Sequence, residues 1–578
     1  MKRSILAILI VVLLTAPISF ECIRREKLDT ESISETKAEL TKPIYTIMPA
    51  IEEMIPSFDG TKLHVGTFLP DIAAEGVKVP AIIDAGPYYG NARPCVDKIG
   101  TGPHKYWVRY FVPRGYAVIQ ASVRGTGYSG GSFDLGGKKE QRDLYELVEA
   151  IAAKPWCNGN VAMAGKSYDG TTPWEAAIMA PPHLKTIVPI AGISDMYRYM
   201  FYDGAAYCSG PFFNTYYTAE VDWLVRPTTD ITIQKMMNLL GAISPDVIDN
   251  ILEGYRTWVD GDHDAFWNER DYSAHVENIT ASVFIVHGLQ DWNVKPDNFV
   301  VMYNKLKVPK KLWLGQWEHI MPYEKSVLNE WSRPDFGEMI NAWMDYWLLG
   351  LDNGIMDEPP VIVQDNLGRW HFEEDWPPGR AQKIKFTMAS GKLSNEVISG
   401  ELATFSASLF HRPGPGGSDR YQAVFVSDPL KEEILSSGAP SFDLNLSIDR
   451  SRGHLVAILY DISPSGDWTQ VNKVVIDLEH RDSRDSGELM TPGEITHVSF
   501  EMYPYDVSFG ADHRIGLIIT GDDLSWVLHP ISTLKGLELA VLPSLSQPAF
   551  SLYGNREHPS TMTVPVLHGV AFEEETTF

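Results

Sequence analysis

The sequence predicts an α/β fold with an inserted helical cap, followed by a C-terminal all-β domain. Three observations predict it. From about Pro43 to Gly354 strand-like and helix-like segments alternate, as in an α/β sheet. Within that stretch a serine sits on a strand-to-helix turn, and an aspartate and a histidine follow two later strands. After Pro359-Pro360 short strand-like runs recur with turns between them, the spacing of a sandwich or jelly roll. A chain of 578 residues is too long for one ordinary core, so two or three domains are expected. Its 44% hydrophobic and 21% charged content is that of a globular protein. A net charge of −26 argues against nucleic acid and against a basic membrane-binding face.

The elements follow in order. Lys2 and Arg3 precede the apolar run Ile5 to Leu14, so residues 1–22 read as a signal peptide or N-terminal anchor, and the protein as exported, with a possible membrane tether there. The run is short against the roughly 17–25 residues of a membrane span. Residues 23–42 are polar and charged, a spacer. Cys22, Cys95, Cys157 and Cys208 are too few for a disulfide framework, although export would allow one bridge among the last three. There is no C-x-x-C and no H-E-x-x-H, and no metal or cofactor is expected.

The catalytic domain is expected over 43–355. Leu63–Phe68, Val79–Ala85 and Tyr116–Ala121 read as strands, and Asp143–Ala153 as a helix with Leu144, Leu147, Val148 and Ile151 on one face. Arg124–Gly131 is rich in glycine but lacks both the P-loop ending and the G-x-G-x-x-G spacing, so it reads as a tight backbone turn.

Asn160–Ala164 is a strand, Gly165-Lys166-Ser167-Tyr168-Asp169-Gly170 a turn and Thr172–Met179 a helix. Strand, sharp turn with serine, helix is the nucleophile elbow of an α/β-hydrolase. Asp169 stands where G-x-S-x-G would place its second glycine. Leu184–Ile190 is the next strand. Val283–Gly288 then leads into Asp291, and Lys311–Gly315 into His319, completing the order Ser, Asp, His. The chemistry needs all three. A hydroxyl is a weak nucleophile until an imidazole takes its proton, and the imidazole needs a carboxylate to fix its tautomer. His287, at a strand end before the Asp291 turn, reads as structural.

Between about 193 and 280 the sheet rhythm stops. The stretch is aromatic and helical, with helices expected at Ile231–Leu240 and Ile248–Val259, and an insertion there would cap the site. Glu338–Leu349 is a closing helix. The jelly roll is expected over 356–578, beginning with Val361–Gln364 and Ile384–Met388.

Taken together, Trp156–Val161 leading into the elbow, His287–Pro296, Trp317–Ile320, Arg124–Gly131 and Phe266–Asp271 resemble the Xaa-Pro dipeptidyl-peptidase and cocaine-esterase superfamily of α/β-hydrolases. The elbow departure matches that family's G-x-S-Y-x-G. The resemblance implies an oxyanion hole made by the Tyr88 hydroxyl and the Tyr168 N–H, next to the Ser167, Asp291 and His319 triad. It also implies a small peptide or acyl substrate, and a reaction releasing N-terminal Xaa-Pro dipeptides through an acyl-enzyme. The alternative is a carboxylesterase or amide acylase with the same triad. A dipeptidyl-peptidase must hold its substrate's α-ammonium group, for which the cap offers Asp203, Glu220 and Asp222. A non-catalytic, glycan-binding role for the jelly roll is disfavoured by the complete triad. Oligomeric state is not legible.

Overall fold

A computed structural model describes residues 38–89, 103–207, 245–325, 333, 335–396, 403–408, 411–523, 525–526 and 548–572. The leader, most of the spacer, Cys22, Cys95, Cys208 and the helix expected at Ile231–Leu240 lie outside the described residues. Among the described residues no helix is long and apolar enough to cross a membrane, and Cys157 is a buried free thiol.

The N-terminal sheet begins with β1 (Ile51–Pro56), β2 (Lys62–Phe68), β3 (Val79–Gly86), β4 (Ala117–Ser122), β5 (Cys157–Lys166) and β6 (Leu184–Ile190). The insertion carries a two-stranded ribbon, β7 (Phe201–Tyr202) and β8 (Ala205–Ala206). The sheet then resumes with β9 (Ser282–Gly288), β10 (Lys310–Gly315), β11 (Val361–Gln364) and β12 (Trp370–Glu373). The spatial order is β1-β2-β4-β3-β5-β6-β9-β10-β11-β12. Strands β4 to β11 in that order are parallel, and β1, β2 and β12 add antiparallel edges.

The parallel strands are mostly apolar because both faces are covered. Side chains alternate between the faces with a period of two. Ile83, Ile119, Met163, Ile187 and Ile285 enter one apolar cluster, and Ile82, Val118, Ala162, Val188 and Phe284 the other. The helix expected from Asp143 spans Lys138–Ala152 and buries Leu144, Leu147, Val148 and Ile151 as expected. It starts earlier because its first turns bury polar residues, Glu140, Gln141 and Asp143, which no apolar period registers. The glycine-rich turn is held by Arg124, whose Nε and Nη2 each lie 2.7 Å from an Asp143 oxygen.

Val361–Gln364, expected as the first jelly-roll strand, joins the other sheet. It is β11, paired in parallel with β10 (Leu312 opposite Val361), and β12 pairs with it in turn. Pro359-Pro360 looks like a linker, yet the Pro360 carbonyl accepts the Leu312 N–H at 2.8 Å, so the prolines lead straight into the ladder.

From β13 (Gln382–Ala389) to β25 (Ser560–Leu567) the strands form a separate, thirteen-stranded sheet, an all-β domain. Its core takes in Tyr202, Ala205 and Tyr207 of the insertion. Arg484, from this domain, binds Asp195 at 2.8 Å and Asp271 at 2.7 Å, so it grips both ends of the insertion.

Candidate active site

Ser167 directly follows β5 and caps the N-terminus of the helix Tyr168–Ile178. Its backbone is at φ 66°, ψ −125°, a region that costs a non-glycine residue about 1–3 kcal/mol. The surroundings enforce it. A Cβ on Gly165 would come within 2.5 Å of Asp169 O, and one on Gly170 within 2.5 Å of Ile190 O, so only glycine lets the turn close. Pro173, inside the helix, cannot donate to Asp169 O. The Thr172 hydroxyl reaches that carbonyl at 3.3 Å and Ala85 O at 2.8 Å.

The sheet register sets the other two groups beside the elbow. Lys166 is opposite Ile190, Ile190 opposite Val286, and Gly288 opposite Gly315. Ser167, Asp291 and His319 therefore leave the same carboxyl edge, where open α/β sheets build their sites. The Asp291 turn and the His319 loop are tied by Leu289 N–H to Gly315 O (2.7 Å) and Gln290 N–H to Trp317 O (3.2 Å).

His319 Nδ1 is 2.7 Å from Asp291 Oδ2, and the carboxylate also accepts the N–H groups of Asn293 and Val294 at 2.9 Å each. Burial alone would raise the Asp291 carboxyl. The His319 ring outweighs it and, with the Asn293 N–H, holds the group below its usual value. Because Nδ1 is committed to the carboxylate, Nε2 is the nitrogen left to exchange a proton. Lys166, next to the serine, donates from Nζ to His319 O at 3.0 Å and so braces the histidine loop against the elbow.

Tyr88 lies in a single 3-10 turn, Pro87–Tyr89, directly after β3. It packs half-buried on the apolar cluster that contains Tyr168 and Tyr197. The Tyr168 side chain is fully buried and points away from the edge, its hydroxyl donating to Glu140 Oε1 at 2.9 Å. Its N–H belongs to the first turn of the elbow helix, where amides point out of the helix end. His287 is buried against Phe299 and uses Nε2 to donate to Val294 O at 2.8 Å. Burial pushes its basicity down.

Of the three cap carboxylates, Glu220 and Asp222 lie outside the described residues. Asp203 is on the β7–β8 turn at φ 38°. Burial raises its carboxyl, and the charges of Arg198, Arg484 and His480 already act on it, so it is poorly suited to await an ammonium. Among the described residues Asp195, His263 and Asp271 form the one cluster with metal-ligand spacing, and the Arg484 guanidinium occupies both carboxylates. Sequence reasoning missed Lys166, Glu140 and Glu175. A charged residue inside the otherwise apolar Trp174–Ile178 helix was the available signal for the last.

A strained serine elbow and a His–Asp pair on one edge of an α/β-hydrolase sheet define a serine hydrolase. The model of the X-Pro dipeptidyl-peptidase (S15 family) matches residues 59–321, and that of the X-Pro dipeptidyl-peptidase C-terminal non-catalytic domain matches 353–544. Both models are of X-Pro dipeptidyl-peptidase domains, and over these two stretches the chain is similar to that family. A Bacillus cereus protein named provisionally as a Xaa-Pro dipeptidyl-peptidase is 29% identical, the match covering 87% of this chain and 92% of that protein. The Xaa-Pro dipeptidyl-peptidase of Lacticaseibacillus casei is 26% identical, covering 73% of this chain and 60% of that protein. In fold the chain is similar to an aminopeptidase from a marine sediment Thaumarchaeota archaeon (TM-score 0.73, 19% identity, 93% of this chain and 99% of that one). It is similar also to an α-amino acid ester hydrolase (TM-score 0.73, 18% identity, 94% and 100%).

Proposed function

We propose that the protein releases N-terminal Xaa-Pro dipeptides from peptides through an acyl-enzyme on Ser167. The observation that carries the reading is the 2.7 Å bond between His319 Nδ1 and Asp291 Oδ2 on the edge where the Ser167 elbow opens. His319 Nε2 takes the Ser167 proton as the oxygen attacks the carbonyl carbon. Asp291 stabilises the imidazolium, which then protonates the departing amine. Water enters and attacks the acyl carbon as His319 takes its proton, and the imidazolium returns that proton to the Ser167 oxygen as the acyl group leaves as the free acid. The Tyr168 N–H and the Tyr88 hydroxyl receive the charge that develops on the carbonyl oxygen. The names of the relatives support the Xaa-Pro preference. The basic, apolar leader supports an exported protein that meets its substrates outside the cytoplasm.

The test is a hydrolysis panel with Ser167→Ala as its control. Free Ala-Pro and Gly-Pro anilides should be cleaved at least about tenfold faster than their N-acylated forms, because a carboxylate left without its ammonium partner costs roughly 2–5 kcal/mol. Equal rates on free and blocked anilides, or turnover of nitrophenyl butyrate alone, would move the protein to the esterase or acylase branch. Full activity in folded Ser167→Ala would remove the nucleophile assignment.

A further inference from the structure

Behind the elbow helix two carboxyl groups are shut away from water. Glu140 and Glu175 are both 0% exposed. Glu140 Oε1 accepts the Tyr168 hydroxyl at 2.9 Å, and its Oε2 faces the Gly136 N–H at 3.3 Å. No group meets full hydrogen-bond geometry at either oxygen of Glu175, and what lowers its carboxyl comes from the Tyr272 hydroxyl and Arg270. The Tyr272 hydroxyl beside it is committed to Gly136 O at 3.0 Å. Both carboxyls converge on Gly136, where a Cβ would stand 3.2 Å from Glu175 Oε1 and 2.1 Å from the Tyr272 hydroxyl. The cation acting on Glu175 is Arg270, and its guanidinium donates to the carbonyls of Leu135, Phe266 and Asp134 at 2.9–3.1 Å. Two ionised carboxylates cannot share such a space, since burying even one unpaired charge costs many kcal/mol and the group neutralises instead.

We propose that Glu140 and Glu175 are positioning residues for the hydrolytic reaction. They form a carboxyl pair held neutral behind the elbow, in which Glu140 fixes Tyr168 and, through it, the N–H that follows Ser167. The inference rests on the serine-hydrolase reading above. Tyr168 is the first residue of the helix, so a shift of its ring moves the amide that faces the oxyanion. The surrounding groups explain the neutrality. Burial, then Asp134, pushes the Glu140 carboxyl up to about 8, against the pull of Tyr168 and Gly136; Asp143 adds to the rise. Burial and then Glu140 push Glu175 well up, with Asp134 adding to it and Tyr272 and Arg270 opposing. As pH rises through that range Glu140 ionises next to Asp134, Asp143 and Glu175, and the support of Tyr168 is disturbed. Activity should therefore fall on the alkaline side for a reason separate from the triad.

The experiment is a pH profile of kcat and of labelling by a fluorophosphonate, on the full chain. Glu140→Gln keeps an acceptor for Tyr168 but cannot ionise. It should hold kcat within a few-fold at neutral pH and move the alkaline limb up by about one pH unit or more. Glu175→Gln removes the neighbouring carboxyl and should act on the same limb. Tyr168→Phe should lower kcat by about tenfold with KM little changed. Native alkaline limbs in both folded glutamine variants would overturn the inference. Persistent labelling of Ser167→Ala would instead overturn the nucleophile reading, so the two failures are distinct.

Discussion

His319 and His371 both rest against carboxylates, and they differ at the second ring nitrogen. His319 gives Nδ1 to Asp291 at 2.7 Å and is 19% exposed, with Nε2 left for chemistry. His371, on β12, is 0% exposed and has no nitrogen to spare. Its Nδ1 is 3.1 Å from Glu373, and its Nε2 is 3.2 Å from both oxygens of Asp506 on β22 (Tyr505–Phe509). Burial would lower the His371 ring, but the bonds to Asp506 and Glu373 outweigh it and push it up to about 9. Burial raises the Asp506 carboxyl even against His371. The charge the geometry fixes is the imidazolium, gripped from both sides. A carboxylate beside a histidine thus does not make a base. One carboxylate and one open nitrogen make a base, whereas two carboxylates make a fixed cation, here fastening the α/β sheet to the all-β domain.

The largest expected effect tests the first half of that contrast. Asp291→Asn should favour the wrong tautomer of His319 and lower kcat by about 10⁴, while the fold, followed by circular dichroism, stays intact. His371→Leu should leave kcat within a few-fold in the folded protein. Equal losses of kcat from the two substitutions would break the comparison.

Next in size is the oxyanion. Tyr88→Phe removes one hydroxyl at the same edge, and kcat should fall about 10²–10³-fold with KM little changed. A change confined to KM would make Tyr88 a group that binds substrate equally in ground and transition states.

His371→Leu should show its effect in stability instead. Stripping the cation leaves the buried Asp506 with the Ser437 hydroxyl but no counter-charge bonded to it, while Glu373 keeps Arg380 at 2.6 Å, a loss on the order of 3–5 kcal/mol by the general cost of breaking buried pairs. The pH dependence has a definite sign. The folded-state value lies above the usual 6.5, so the stabilisation is complete below that value and fades as pH rises through about 9. Native Tm should drop between pH 7 and pH 10 by more than that of His371→Leu. Parallel profiles would mean the imidazolium is not the fastening group.

The smallest effect belongs to His287, whose bond to Val294 O supports the turn carrying Asp291. His287→Gln retains a donor there and should change kcat by less than about tenfold. A loss comparable to Asp291→Asn would make His287 the base.

The elbow turn and the succession of strands that lead into Asp291 and His319 were legible in the sequence because each is locally encoded. Gly165 answers a steric demand within the turn and Gly170 one from Ile190 on the next strand, and apolar strands of the right length announce where Asp291 and His319 must follow. β11 was misassigned because Val361–Gln364 carries no mark of the sheet it joins, and its flanking prolines suggest a break. The helix at Lys138–Ala152 was read short for a related reason, since buried Glu140 and Asp143 look like surface residues until their neighbours are known.

By itself the sequence determined an α/β-hydrolase with an insertion and a following β-domain, and the three residues to which the hydrolysis is assigned. Only the tertiary structure decided which carboxyls are ionised and which histidines are charged. Ser167's backbone strain depends on its own turn and on Ile190, in the next strand along the chain. The states of Glu140, Glu175 and His371 depend on groups up to 135 residues away, as between His371 and Asp506. Removing them from water is what sets their charge, and burial is a property of the packed chain rather than of any segment.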